Sequence, residues 1–293
     1  MRSGTKTERI IINVFGYVLV GLFSLLCILP LLYTLSGSFT TETAIYRGLK
    51  LIPAEFGVDG YRMIFAEPLP MIRAYGVTIA RVALGTALSL LTTTMTSYVL
   101  ARKDFKYRNV FSFYFFFTTL FNGGIVANYI LHLSLGLKNT FWVMVVDRLG
   151  NVMNMIMTRS YFQGNVPDAL PEAAKIDGAG DFRIFWKVYL PISKPILATV
   201  GLLVALSHWN DWYVPMMYVD DKTLYPLQYY LYEILNTSSI NDSPAAMGLN
   251  LVEVPKETFK MAMTVFTIGP VVLFYPFVQK YFVKGITVGA VKG

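Results

Sequence analysis

A chain of 293 residues in which 55% are hydrophobic and only 15% charged has too little charge to coat a soluble globule, where roughly 25% of residues are charged. With a mean hydropathy of +0.51 it is neither a soluble enzyme nor a disordered segment, and its single cysteine, Cys27, excludes an internal disulfide or a CxxC metal pair. The net charge of +7 suits a nucleic-acid partner unless membrane topology accounts for where the basic residues sit.

Runs long enough to cross ~30 Å of hydrocarbon at about 1.5 Å per residue predict six membrane-spanning helices. The first covers 11–35. Arg2, Lys6 and Arg9 precede it as in a secretory leader, but it exceeds the apolar core of about 7–15 residues that a leader carries, so it reads as an uncleaved span. The second, 74–100, contains Arg81, expected near the outer end with its guanidinium snorkelling to water. The third, 110–133, is dense in Phe and Tyr, and the fourth, 140–158, is interrupted by Asp147 and Arg148. The fifth and sixth cover 196–219 and 261–283. Two long polar connections, 37–73 and 220–260, lie on one side, and a third, 159–195, on the other. No internal repeat divides the chain, which reads as one domain, 1–293.

Lys and Arg in alternate connections set the orientation. Fifteen lie in the set containing the N-terminus, 102–108, 159–194 and the C-terminal tail, and eight in the opposite set. With acids counted, the first set carries +9 and the second −2. Both termini are therefore expected in the cytoplasm. The basic pI is a topology signal, and nucleic-acid binding falls away.

Residues 159–195 are too long for a plain helix connection, usually about 2–8 residues. Pro171 suits a first helical turn and Glu172 the positive end of a helix dipole. Ala173, Ala174 and Ile176 give that short helix a small apolar face, and Gly178 and Gly180 permit the left-handed turn that ends it. A second short helix is expected over about 181–188, carrying Phe182, Phe185 and Trp186, with Leu190-Pro191 and Pro195 breaking it before the fifth span. The predicted unit is a helix-turn-helix with small residues where another protein can approach closely.

At these residues the chain resembles a known family. Glu172-Ala173-Ala174-x-x-Asp177-Gly178-Ala179, followed by Leu190-Pro191, is similar to the EAA loop of ATP-binding-cassette importer permeases. The resemblance implies an all-α membrane protein of the type I importer permease fold, with six transmembrane helices, in the bacterial cytoplasmic (inner) membrane. It also implies that Glu172, Ala173, Ala174, Asp177, Gly178, Ala179, Leu190 and Pro191 form the coupling helix and its support, docking into a cytoplasmic ATPase. His208-Trp209-Asn210-Asp211-Trp212 resembles the Trp-Asn-Asp segment of maltose-permease-like carbohydrate permeases, and 279–293 resembles the tail of that branch. Asn122-Gly123-Gly124, Leu135-Gly136-Leu137-x-Asn139-Thr140 and Leu224-Tyr225-Pro226-Leu227-Gln228 resemble a sub-branch for complex and acidic oligosaccharides, such as alginate or oligogalacturonide fragments.

The partners implied are a second homologous permease subunit, two ABC ATPase subunits, an extracytoplasmic solute-binding protein and an oligosaccharide substrate. No GxxxxGK[ST] loop occurs, so this chain is expected to hold no cofactor and to be no enzyme; ATP and Mg²⁺ belong to the partner ATPase. Sugar sites combine stacking aromatics with amide hydrogen bonds, which makes Trp209, Asn210, Trp212, Asn151 and Asn154 candidates for the substrate path. Arg148 is a candidate carboxylate partner for an acidic sugar, set against a structural ion pair. In maltose-permease relatives the loop before the last span reaches the binding protein, which points here to Asn236, Asn241, Ala246 and Gly248. The alternative is an ion-coupled secondary transporter, resting on Asp147, Arg148 and Asp211, but the repeats that many such folds carry are not evident. No carboxylate or histidine cluster has catalytic spacing, which sets aside a membrane-embedded enzyme.

Overall fold

The computed structural model describes residues 6–48, 50–66, 68–241 and 257–273. These are helical, with no strand among the described residues beyond an isolated antiparallel bridge between Thr40 and Phe56. They fall into two compact units, one drawn from residues up to Pro68 and from Glu233–Pro270, the other chiefly from Leu69–Tyr232.

The first unit opens on α1 (Lys6–Ser38), which contains the expected span 11–35. Pro30 sits inside it without ending it, and the Thr34 hydroxyl bonds back to the Pro30 carbonyl at 2.9 Å. Its apolar side chains from Ile10 to Leu35 are exposed, the pattern of a helix covered by lipid or by another chain. Two short helices follow, α2 (Glu42–Tyr46) and α3 (Asp59–Ala66). They hold the start of the helix over 257–273. The Glu42 carboxylate accepts the backbone N–H groups of Glu257 and Thr258, each at 2.9 Å, and the Thr258 hydroxyl. A helix N-terminus leaves such donors unpaired and favours a negative charge there. Gly60 is required at this contact, because a Cβ would lie 2.5 Å from the Thr258 carbonyl oxygen. The expected sixth span, 261–283, begins earlier than its apolar run, and residues 274–283 lie outside the described set.

The second unit is organised by α4 (Pro68–Ala101), which contains the expected span 74–100. Its hydroxyl residues, the buried Thr78 and Ser97 and the exposed Thr92, bind neighbouring backbone. Thr78 accepts the Leu227 N–H at 2.8 Å, Thr92 donates to the Leu149 carbonyl at 3.1 Å, and Ser97 donates to the Met155 carbonyl at 2.9 Å. Hydroxyls between helices substitute for the water that a membrane interior lacks.

The stretch expected as one span, 110–133, is two helices, α5 (Arg108–Leu120) and α6 (Gly124–Ser134), meeting at 116°. The Asn122 side chain accepts the Gly124 N–H at 2.9 Å, and Gly124 adopts a φ of 82° that side chains resist. Asn122-Gly123-Gly124 is thus the corner of the chain. The stretch expected as 140–158 is also interrupted. A single turn, α7 (Val143–Val146), precedes α8 (Val152–Asn165), whose N-cap is Asn151, accepting the Asn154 N–H at 3.0 Å.

After α8 come α9 (Ala169–Ile176), α10 (Asp181–Ile184), a π-turn over Phe185–Tyr189 and α11 (Leu190–Ile192). The chain then bends by 84° into α12 (Lys194–Trp209). Leu190-Pro191 does not break the second helix as expected. The π-turn ahead of Pro191 accommodates a residue without an N–H, and the bend comes at Ser193. The fifth apolar stretch, 196–219, is divided between α12 and α13 (Tyr213–Tyr218). A further helix, α14 (Leu227–Asn241), occupies ground expected as a hydrated loop. Two described helices, Ile10–Ser38 and Pro68–Ala101, are long and apolar enough to cross a membrane, and up to four if each bent pair counts as one span.

Candidate functional site

The helix-turn-helix over 169–192 is built as a closed corner. At the end of α9, Gly178 takes a φ of 74°, its N–H bonds the Lys175 carbonyl at 3.0 Å, and the Ala179 N–H bonds the Ala174 carbonyl at 2.9 Å. This pair of bonds is a Schellman motif, which needs a residue free to adopt the left-handed conformation. Ala174, Ala179 and Leu190 pack inward against a core of Tyr98, Ala101, Phe162, Val166, Ile184, Phe185 and Tyr189. Glu172, Ala173, Asp177 and Gly178 face outward, as does Pro191. Ile176, Phe182 and Trp186 stand 87%, 66% and 50% exposed, an apolar patch that favours a protein partner.

An ionic brace ties this corner to the end of α4. Arg102 pairs with both Asp104 and Asp181, Lys175 donates to Asp104 at 2.7 Å, and Lys103 donates to Asp168 at 2.5 Å. The Tyr98 hydroxyl adds a bond to the Asp181 carbonyl at 3.2 Å. Hydrogen bonds from Arg102 and then Lys175 hold the Asp104 carboxyl well below the usual carboxylate range. Sequence reasoning missed this brace, because Asp168, Lys175 and Asp181 stand far along the chain from Arg102-Lys103-Asp104, which reads only as a basic connection.

A second cluster lies deep in the same unit. Arg81 is not at a helix end with a snorkelling head; it is completely buried. Its Nε donates to the Met144 carbonyl at 3.2 Å and one Nη to the Asp211 carbonyl at 3.1 Å, while the other Nη pairs with the Asp211 carboxylate. Asp211 also accepts Arg148 at 2.8 Å and the N–H groups of Tyr213 and Val214 at 3.2 and 3.3 Å. Arg148 donates its remaining Nη to the Ser207 hydroxyl at 2.8 Å. The two arginines and one carboxylate thus join α4, the turn before α8 and the end of α12. Asp147, by contrast, turns to His132, 3.5 Å away.

The buried Asp211 carboxylate holds its two neighbours on the opposite side of the chain. Asn210 and Trp212 are exposed. Trp212 stacks on Tyr232 of α14 with ring centres 4.5 Å apart, and Tyr232 faces Tyr229 at 6.2 Å. Gln228 donates to the Asn210 side chain at 3.5 Å. Stacked rings beside side-chain amides make a surface suited to a sugar. Tyr229, Tyr232 and Gln228 were not among the sequence candidates, although Gln228-Tyr229-Tyr230-Leu231-Tyr232 carries the aromatic signal. Of the remaining candidates, Trp209 is half-buried, Asn154 is buried within α8 and Asn151 caps it. Asn236 and Asn241 fall on α14, whereas Ala246 and Gly248 lie outside the described residues, as does 279–293.

Long apolar helices, a cluster of paired charges inside the helical packing, and a braced outward-facing corner define a membrane-embedded transport subunit. The chain belongs to the family described as binding-protein-dependent transport system inner membrane component, whose model matches residues 9–288. It is 36% identical over 282 residues to the polygalacturonan/rhamnogalacturonan transport system permease protein YtcP of Bacillus subtilis, covering 96% of this chain and 97% of that one. It is 29% identical to the arabinooligosaccharides transport system permease protein AraQ of Halalkalibacterium halodurans, covering 92% of each. Among solved structures, a chain of a bacterial ABC transporter involved in the import of the acidic polysaccharide alginate matches with a TM-score of 0.84. There the identity is 31%, over 96% of this chain and all of the other. The protein is therefore a multi-pass inner-membrane permease component of an ABC importer, non-enzymatic in itself, and the family implies a second permease, ATPase subunits and a solute-binding protein as partners. Nothing in these similarities supports an ion-coupled transporter.

Proposed function

We propose that this chain is one of two homologous permease subunits of an ATP-driven importer for oligosaccharides, acidic ones among them, and that it receives the ATPase stroke through residues 169–192. The observation that carries this reading is the braced corner. α9 presents Glu172, Ala173, Asp177 and Gly178 outward, while Ala174, Ala179 and Leu190 anchor it in the core. In this reading the chain crosses the membrane six times with both termini and this corner in the cytoplasm, where one of two ATPase subunits docks and supplies ATP and Mg²⁺ chemistry. This chain binds neither. Closure of the ATPase pair moves the docked helix as a rigid lever, and the packed helices rock about a central path.

The sugar assignment draws on the relatives' substrates and on the stacked face. Trp212 and Tyr232 provide a ring platform, Asn210 and Gln228 provide amides, and Trp209, Asn151 and Asn154 extend the polar lining. Arg148, already shared between Asp211 and Ser207, keeps a partly exposed edge for a sugar carboxylate. On the opposite side of the membrane, Asn236, Asn241, Ala246 and Gly248 contact the solute-binding protein.

Copurification tests the assembly. An ATPase subunit retained by the wild-type permease and lost from Glu172→Lys supports it; equal retention, or uptake driven by an ion gradient without ATP, overturns it. A screen of neutral and uronic-acid oligosaccharides against the partner binding protein then names the sugar.

A further inference from the structure

Beside the braced corner, between the start of α5 and the end of α8, lies a cavity of about 290 Å³. Its charged lining is Lys103, Arg108, Arg159 and Asp168, with Asn109 and Gln163 contributing amides. Asp168 is already paired with Lys103 at 2.5 Å, so two guanidiniums line the cavity with no carboxylate left to oppose them. Arg159 is fixed by one bond, from Nη1 to the Ser112 hydroxyl at 2.8 Å, and its Nε is buried without a partner. The Arg108 guanidinium forms no hydrogen bond or ion pair among the described residues.

Forked N–H donors that lack acceptors match a multi-oxygen anion such as phosphate. Two further features favour phosphate. The amides of Asn109 and Gln163 supply additional neutral donors, suited to an anion with more oxygens than a carboxylate has. Immediately beyond Arg108, α5 exposes Val110, Phe111, Phe113 and Tyr114, an apolar strip that leads away from the basic cavity as an acyl chain leads away from a headgroup.

We infer that this cavity binds a phosphate group, held by Arg108 and Arg159 and supplied by an anionic phospholipid or by free inorganic phosphate. The site is separate from the stacked sugar face and from the outward surface of α9. Bound phosphate would neutralise the cavity and cross-link α5 to α8, and so stiffen the support on which the corner rests.

The test uses the importer purified with its partner subunits. Native mass spectrometry counts lipids retained after exchange into phosphatidylglycerol or into phosphatidylcholine, and labelled inorganic phosphate is measured by equilibrium binding. Arg108→Gln removes a group with no hydrogen-bond or ion-pair partner among the described residues, so folding is expected to be preserved; Arg159→Gln tests the second guanidinium. Lys106→Gln, a nearby exposed cation outside the cavity lining, controls for general charge. The expected result is retention of phosphatidylglycerol over phosphatidylcholine, reduced about tenfold by Arg108→Gln, as loss of one charge-assisted bond predicts, and unchanged by Lys106→Gln. Arg108-dependent binding of labelled phosphate with no lipid preference supports the site and assigns it to the free ion. Identical lipid retention and phosphate binding in wild type, Arg108→Gln and Arg159→Gln overturns it.

Discussion

The Arg81 guanidinium on α4 and the Asp211 carboxylate beyond α12 form an ion pair whose side chains are 0% and 1% exposed. An isolated charge in such a place costs several kcal/mol, whereas a paired and fully hydrogen-bonded one persists. Here Asp211 is saturated by two arginines and two backbone donors, and the buried guanidinium of Arg81 is spent on Asp211 and Met144. Asp211→Asn should therefore destabilise the permease by about 3–5 kcal/mol, because it leaves Arg81 buried without a counter-charge. Arg148→Gln should cost clearly less, since the Arg148 side chain is 34% exposed. Thermal unfolding followed by size-exclusion chromatography ranks the two, and equal midpoints would contradict the assignment.

Gly85 and His208 form a second interlock between the same helices. A Cβ on Gly85 would sit 2.4 Å from His208 Nε2, and His208 is completely buried. Gly85→Ala should destabilise by about 1–3 kcal/mol through overpacking. Gly85→Ala combined with His208→Ala should recover much of that loss, since the second change removes the clashing ring. Additive losses in this double-mutant cycle would show that the two residues do not interact.

Gly178→Asp and Glu172→Lys should leave the protein inserted in the membrane while abolishing uptake and binding-protein-stimulated ATP hydrolysis. The first strains a backbone held at φ 74° by at least about 1 kcal/mol; the second reverses a charge on the outward face. Gly178→Asn, which tolerates the left-handed conformation better than most residues, should retain partial coupling. Normal uptake into vesicles by Gly178→Asp and Glu172→Lys would sink the lever reading.

The Asp104 brace makes a pH prediction. Its carboxyl is depressed below an ordinary value of 3.8 by Arg102 and Lys175. A depressed acid contributes its full stabilisation above its ordinary value and loses it only as pH falls below that value toward the lowered one. Uptake per ATP should therefore show no Asp104-dependent change between about pH 5 and 8. Asp104→Ala should lower that ratio across the whole range while shifting global stability by less than about 1 kcal/mol, because the group is half-exposed. A wild-type loss of coupling between pH 7 and 5 that is absent in Asp104→Ala would refute this.

Much of the local architecture was legible in the residues alone. Pro171 in a first turn and Gly178 in a left-handed C-cap follow from local stereochemistry, which the sequence carries directly, whereas the inward packing of Ala174 and Ala179 against the core departs from the partner-facing role expected for them. Three apolar runs were read as straighter than they are. A hydropathy window sums transfer energy and is blind to the Asn122–Gly124 corner or to the turns ahead of α8 and after α12. The aromatic signal of α14 was hidden by its polar ends.

By itself, then, the sequence determined that this is a helical membrane protein, from its scarcity of charge, and marked the corner proposed to meet a partner, from residues within a few positions of one another. Only the tertiary structure decided the fate of the few charges left among the apolar stretches. Arg81, Arg148 and Asp211 reveal themselves as one cluster only when α4, the turn before α8 and the end of α12 converge, and Arg102, Asp104, Lys175 and Asp181 as a brace only when the corner closes. Coulomb and hydrogen-bond energies depend on separation in space and on burial, and neither quantity can be read from positions along a chain.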